Sequence, residues 1–246
     1  MTTDRPTLGA EYHRATKYTR ESVGGRDLDF ATRPSPYKHV PTQFPRVGLP
    51  EPRLEGGAGL WTAISRRRSV RHYVHEPLEP AELGQILWAT SGITHASPGY
   101  DFRSAPSAGA LYPIETYVVA NRVKGIDAGV YHYDPREHRL ALLAPGEYGE
   151  PLAGAALGQR MCASAGAVVA WTAVAGRSEW KYGDRAHRYV YMDAGHLGAQ
   201  FYLAAEALGL GACTIGAFYD DEVNEVLGVD GLEETVVYMG ALGRKR

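Results

Sequence analysis

The longest regular pattern in the chain lies late, where Tyr189, Met192, Leu197, Phe201, Ala204, Ala205 and Leu208 fall at helical spacing and Gly209 and Gly211 follow. One apolar face followed by glycine predicts a helix over residues 184–208. Shorter helices are predicted at residues 60–66 on Leu60 and Ile64, and at residues 80–89 on Leu83, Ile86 and Leu87. Two more are expected at residues 149–159 and 220–227. Residues 114–120, 129–133 and 139–143 read as strands, the last two joined by the turn Asp134, Pro135, Arg136, Glu137. Residues 167–174 are apolar throughout, as a strand buried on both faces would be. Further strands are expected at 212–215 and 234–239, and the polar stretch 95–107 as a connection. Helices and strands interleave without a regular βαβ beat, which predicts the α+β class.

Residues 1–58 show no sustained period and are rich in Pro, Gly, Arg and Tyr. They read as an extended arm with at most short helical pieces. Tyr12, Tyr18, Phe30, Tyr37 and Phe44 favour docking on a surface over disorder. Residues 59–246 read as one domain. A composition of 44% hydrophobic and 22% charged residues is that of a globular protein. A net charge of −2 gives no reason to expect nucleic acid as partner. The first residues lack the apolar core of a signal peptide, and no apolar run reaches the roughly 18–20 residues of a membrane helix. Cys162 and Cys213 are too few and too far apart for a metal site or a disulfide scaffold. The expectation is a cytoplasmic protein with no membrane, metal or nucleic-acid role.

Four segments carry candidate chemistry. Arg66, Arg67, Arg68 and Arg71 crowd the end of a helix around Ser69, an arrangement that a phosphate would relieve and that a solvated basic turn would also explain. The small residues Ser104, Ala105, Pro106, Ser107, Ala108 and Gly109 precede a strand and would let a flat ligand lie on the backbone, or would simply make a tight turn. Gly209, Gly211, Thr214, Ile215 and Gly216 surround a helix-to-strand reversal. The last segment holds Gly240, Gly243 and Arg244. The 16 tyrosines and 29 glycines suit planar ligands and close backbone approaches. His196 reads as a core histidine, and Asp193 as a partner for a nearby arginine.

Taken in order, these segments resemble the nitroreductase superfamily, specifically its SagB/ThcOx-type dehydrogenase branch, over residues 61–244. Tyr12, His13, Thr16, Lys17 and Tyr18 are also similar to the N-terminal part of that branch. The resemblance implies a nitroreductase-like fold, a mainly antiparallel sheet flanked by helices, in an intertwined homodimer that binds FMN between subunits. Carried over, Arg67, Arg68, Ser69 and Arg71 hold the phosphate and pyrimidine edge, and Arg244 closes on the phosphate. Pro106, Ser107 and Ala108 come from the other subunit, and Thr214, Ile215 and Gly216 lie beside the ring. Lys181 and Tyr182 match the Lys-Tyr pair by which that branch handles the substrate proton, with Arg185 and Arg188 as cations able to depress the lysine pKa. Three activities are open. The first is dehydrogenation of an azoline-like heterocycle or modified peptide by hydride transfer to flavin N5. The second is NAD(P)H-dependent reduction of nitro compounds or quinones. The third is a flavin-binding subunit of a biosynthetic complex, without turnover, working with a partner protein.

Overall fold

The computed structural model describes residues 6–21, 27–97 and 99–245. Residues 1–5, on which the reading of the N-terminus as no signal peptide rests, and Arg246 lie outside them. The centre is a seven-stranded sheet in the order β1-β6-β5-β4-β7-β9-β8. Its strands are β1 (Arg46–Gly48), β4 (Ile114–Ala120), β5 (Gly129–Asp134), β6 (Arg139–Pro145), β7 (Ala167–Ala173), β8 (Leu210–Ile215) and β9 (Thr235–Arg244). Every neighbouring pair is antiparallel. The predicted α+β class and antiparallel sheet flanked by helices are both present.

The two central strands, β4 and β7, are buried at every position, which is why their sequences carry no polar face. Alternate side chains feed two cores. Val118, Val169 and Trp171 meet α3 (Pro80–Ser91) and α7 (Ala186–Ala207) on one side. Tyr117, Val119, Val168 and Ala170 meet α4 (Gly149–Ala155), α5 (Met161–Ser164) and α8 (Asp220–Leu227) on the other. The helix α3 starts on a capping box between Glu79 and Glu82 with proline in its first turn.

Several boundaries differ from the sequence pattern. The stretch expected as a connection contains a hairpin, β2 (Ile93–Ser97) with β3 (Tyr100–Arg103). Its polar Thr94, His95, Ser97 and Asp101 hide the alternation. The last strand runs on through residues 240–244, because antiparallel pairing with β7 and β8 overrides the preference of glycine for turns. Within residues 6–58 the chain forms α1 (Leu8–Ala15) and β1, which extends the sheet at β6. Between β7 and the long helix, where no element is predicted, the chain forms α6 (Gly176–Tyr182), followed by a 3-10 turn, Gly183–Arg185.

Candidate active site

The first half of the site forms where α2 (Leu60–Arg66) ends and the chain turns out at Arg67. Residues 69–74 then run as a strap across the free ends of β8 and β9. The Val70 amide donates to the Ala212 carbonyl at 2.8 Å, and the Val74 amide to the Arg244 carbonyl at 3.0 Å. Gly211 and Gly243 permit this approach, since a Cβ at either would stand 2.8 Å from Val70 or Tyr73. Those two glycines therefore admit the strap.

Tyr202 of α7 gathers the polar groups beneath the strap. Its hydroxyl is 2.9 Å from Ser69 Oγ and accepts from the Thr214 amide at 2.9 Å, while the Arg67 guanidinium lies over its ring at 5.0 Å. The Tyr238 hydroxyl donates to Thr214 Oγ1 at 2.7 Å. Ile215 is buried with its side chain in the core, so only its backbone can face a ligand. Among the described residues, no carboxylate forms an ion pair with Arg66, Arg67, Arg68 or Arg71. Uncompensated guanidinium groups beside a hydroxyl are the donor set that a phosphate monoester fits. Arg244 does not join them here. Its guanidinium is bidentate on Glu82, at 2.9 and 3.0 Å, because the end of β9 lies against the first turn of α3.

The second half is the loop entering β4, at the end of the sheet where β7 leaves for α6. The Val174 amide donates to the Pro113 carbonyl at 2.8 Å and ties the two together. The loop is conformationally strained, with Ala110 and Tyr112 at φ +51° and +46° beside Gly109 at +65°. It hangs on α7 through Asp193. That carboxylate accepts from Ser107 Oγ at 2.6 Å and from the Ala108 amide at 3.3 Å, and Ser107 Oγ in turn accepts the Tyr112 amide at 2.9 Å. Asp193 thus serves the loop and not an arginine. Burial raises its pKa, against the hydrogen bonds that favour the charged form. His196, read as a core residue, instead faces the Pro106 carbonyl at 3.3 Å from the exposed side of the helix.

Lys181 and Tyr182 close on this same loop. A Cβ on Gly109 would lie 2.7 Å from the Tyr182 hydroxyl and 3.2 Å from Lys181 Nζ. The start of α6 is pinned as well, since Arg177 donates to the Tyr112 carbonyl at 3.0 Å and pairs with buried Glu115 at 2.6 Å. Nothing local marks Arg177 or Glu115 as site residues, because their pairing crosses from β4 to a helix far along the chain. Gly109→Ala should displace the Tyr182 phenol and add the strain of a left-handed alanine, about 1 kcal/mol. The expected result is a melting point lower by roughly 2–4 °C. A variant that melted with the unaltered protein would show that Tyr182 and the loop are not in register.

Arg185 and Arg188 do not lie free beside Lys181. Arg185 Nη1 donates to the Thr16 carbonyl at 2.6 Å and its Nε to the Tyr189 hydroxyl at 2.9 Å, while Arg188 Nε donates to Thr16 Oγ1 at 2.8 Å. Their charge is spent on the arm. The Tyr182 ring meets that of Tyr189 at a tilt, with centroids 4.6 Å apart, and burial, reinforced by Tyr189, Tyr18 and Asp193, raises its pKa. The phenol stays protonated at neutral pH.

The two halves diverge within one chain. Asp193 and Tyr202 stand nine residues apart on α7, which is about two and a half turns, so they leave the helix on opposite sides.

A model of the nitroreductase family matches residues 64–244. The chain belongs to the nitroreductase family. This nitroreductase-family chain is 42% identical over 186 residues to MJ1384 of Methanocaldococcus jannaschii, a protein named for the nitroreductases, covering 76% of this chain and 91% of that one. It is 33% identical over 154 residues to the trifolitoxin-processing protein TfxB of Rhizobium leguminosarum bv. trifolii, covering 60% of this chain and 41% of TfxB. A crystal structure of a nitroreductase-type protein from Anabaena variabilis superposes with a TM-score of 0.78 at 31% identity, over 99% of this chain and 49% of that one. The chain thus spans less than half the length of TfxB and about half that of the Anabaena protein. Among the described residues no helix is long and apolar enough to cross a membrane, and no group of His, Cys, Asp and Glu is placed to hold a metal.

Proposed function

We propose that this chain is an FMN-dependent dehydrogenase of the SagB type, which oxidises an azoline-like heterocycle or a peptide-derived substrate. The observation that carries the reading is the convergence of Lys181 and Tyr182 on Gly109, beside the loop proposed to carry the flavin. Similarity to a toxin-processing protein supports a modified peptide as substrate and a biosynthetic partner protein. The cytoplasm is the proposed setting, and the division into an arm (1–58) and a flavin domain (59–246) is kept as part of the proposal.

Arg67, Arg68, Ser69 and Arg71 would hold the phosphate and pyrimidine edge, and Thr214, Ile215 and Gly216 would flank the ring. Arg244 would turn from Glu82 to close on the phosphate. Pro106, Ser107 and Ala108 would serve the flavin of a second copy. The divergence of Asp193 and Tyr202 across α7 supports that division, because one flavin cannot reach both sides of the helix that carries them. A homodimer with two composite sites follows. Bound FMN would supply a two-electron hydride acceptor. Lys181 would take the proton released when the heterocycle is oxidised, and the Tyr182 phenol would donate a hydrogen bond beside it.

The test follows flavin absorbance anaerobically in the purified protein. Bleaching by an azoline peptide and not by NADH or NADPH is expected. Rapid bleaching by a nicotinamide cofactor alone would replace this reading with a nitro- or quinone reductase. A protein that carried flavin but responded to neither would leave a binding subunit. A colourless protein that refused added FMN would overturn the assignment of the cofactor.

A further inference from the structure

The arm is fastened to the chain on both sides of Lys181 and Tyr182, to Trp180 before them and to Asp184, Arg185 and Arg188 after them. The helix α1 buries no residue, so apolar packing does not hold it. Its hold is polar and sits at its C-terminal end, where unpaired carbonyls and the helix dipole favour cations. Arg188 donates to the His13 carbonyl, and Arg185 and Arg188 both reach Thr16, itself buried. The Tyr12 hydroxyl adds a bond to the Asp184 carbonyl at 3.0 Å. These are charge-assisted bonds from a rigid helix to a segment with little apolar anchorage, a latch of defined geometry.

The latch also positions the residues immediately after α1. Tyr18 lies under the Arg185 guanidinium at 4.3 Å, and Arg185 also holds the hydroxyl of Tyr189, whose ring meets that of Tyr182 at a tilt of 56°. On the other flank of α6, Phe30 packs edge-on against Trp180 at 5.6 Å, and the Trp180 indole donates to Thr32 Oγ1 at 3.2 Å. Arg33 donates to the Ala110 carbonyl in the flavin loop at 3.2 Å. The arm therefore brackets the last turn of α6 on both sides. Tyr18 and Phe30 keep about half or more of their surfaces exposed, at 51% and 66%.

We propose that the N-terminal arm is the specificity element of the site, with Tyr18, held in place by Arg185 and Arg188, forming a wall of the approach to Lys181 and Tyr182. A wall at that place admits a small ring or an extended peptide carrying one, and turns away broad fused-ring molecules. The inference rests on the proposed flavin site, but not on which substrate reduces the flavin.

The experiment uses the full chain loaded with FMN, reduced with dithionite and mixed anaerobically with either p-benzoquinone or the broad anthraquinone-2-sulfonate. Two variants are compared with the unaltered protein. Arg185→Gln/Arg188→Gln opens the latch, and Tyr18→Ala removes the wall while keeping the latch. Each should raise the ratio of broad to small quinone reoxidation rates at least tenfold, whereas Tyr18→Phe should leave it within twofold. A ratio within twofold of the unaltered protein in Tyr18→Ala would overturn the wall. Amide exchange in residues 8–15, read with or without FMN, should accelerate at least tenfold in the double variant. Unchanged exchange there would overturn the latch. Because dithionite reduces the flavin directly, the ratio can fail while an azoline still bleaches the enzyme, so failure of the wall is separable from failure of the dehydrogenase reading. A protein without FMN would sink both.

Discussion

Glu115→Ala should destabilise the fold by about 3–5 kcal/mol, the usual effect of leaving a buried charge without its partner. In the intact protein Glu115 is 3% exposed and Arg177 5%, with His132 Nε2 2.8 Å from the second carboxylate oxygen. Burial pushes the Glu115 carboxyl up, yet the His132 hydrogen bond and the charges of Arg177, His132 and Arg103 together outweigh it and hold it down to about 2. Since this folded value lies below the roughly 4.3 of an unfolded glutamate, the group stabilises the fold fully above the unfolded value. That contribution disappears as pH falls through the window between the two. Thermal melts against pH should therefore show a drop of roughly 6–20 °C at neutral pH in the variant. They should also show a shallower acid limb between about pH 5 and 2. A melting point within 2 °C of the unaltered protein would mean that Arg177 is not anchored by Glu115. Arg177 also holds the Tyr112 carbonyl, so the same lesion should loosen the strained loop.

Lys181→Ala should slow the anaerobic reduction of bound flavin by an azoline substrate by about 10²–10⁴-fold, the range of a lost general base. Tyr182→Phe should have a smaller effect, since the raised pKa of its phenol fits a hydrogen-bond donor and not a base. Flavin content is the control that separates chemistry from cofactor loss. If Tyr182→Phe abolished the reaction while Lys181→Ala left it intact, the assignment of base and donor would be reversed. Equal rates in both variants and the unaltered protein would remove the pair from the mechanism.

What the sequence discloses of this molecule depends on the range of the interactions involved. The helix α7 and the strand β7 are legible because apolar periodicity and a near-continuous apolar run are local records of burial, and β4 because it is rich in β-branched and aromatic residues. The hairpin of residues 93–103 is not, since both strands carry polar residues among their apolar ones and pair only with each other. The helix α6 has seven residues and too little length for a period to show. In the site, the clustered arginines and the small-residue loop announce themselves by composition. Asp193 does not, because an aspartate on a helix says nothing of the loop it will hold from 85 and 86 residues away. Arg185 and Arg188 mislead for the same reason. Their neighbours in sequence suggest an effect on Lys181, but the carbonyls that take their charge, those of Thr16 and His13, belong to residues about 170 positions earlier.

The opposed faces of α7 also bear on inheritance. In a dimer built as proposed, a lesion at Arg68 and a lesion at Asp193 damage different halves of each composite site. A cell making only one altered chain spoils both of its sites. A cell making the two altered chains together assembles some mixed pairs in which one site draws both of its halves intact, and the other collects both defects. Two alleles that are each recessive to the normal one can therefore cover for each other.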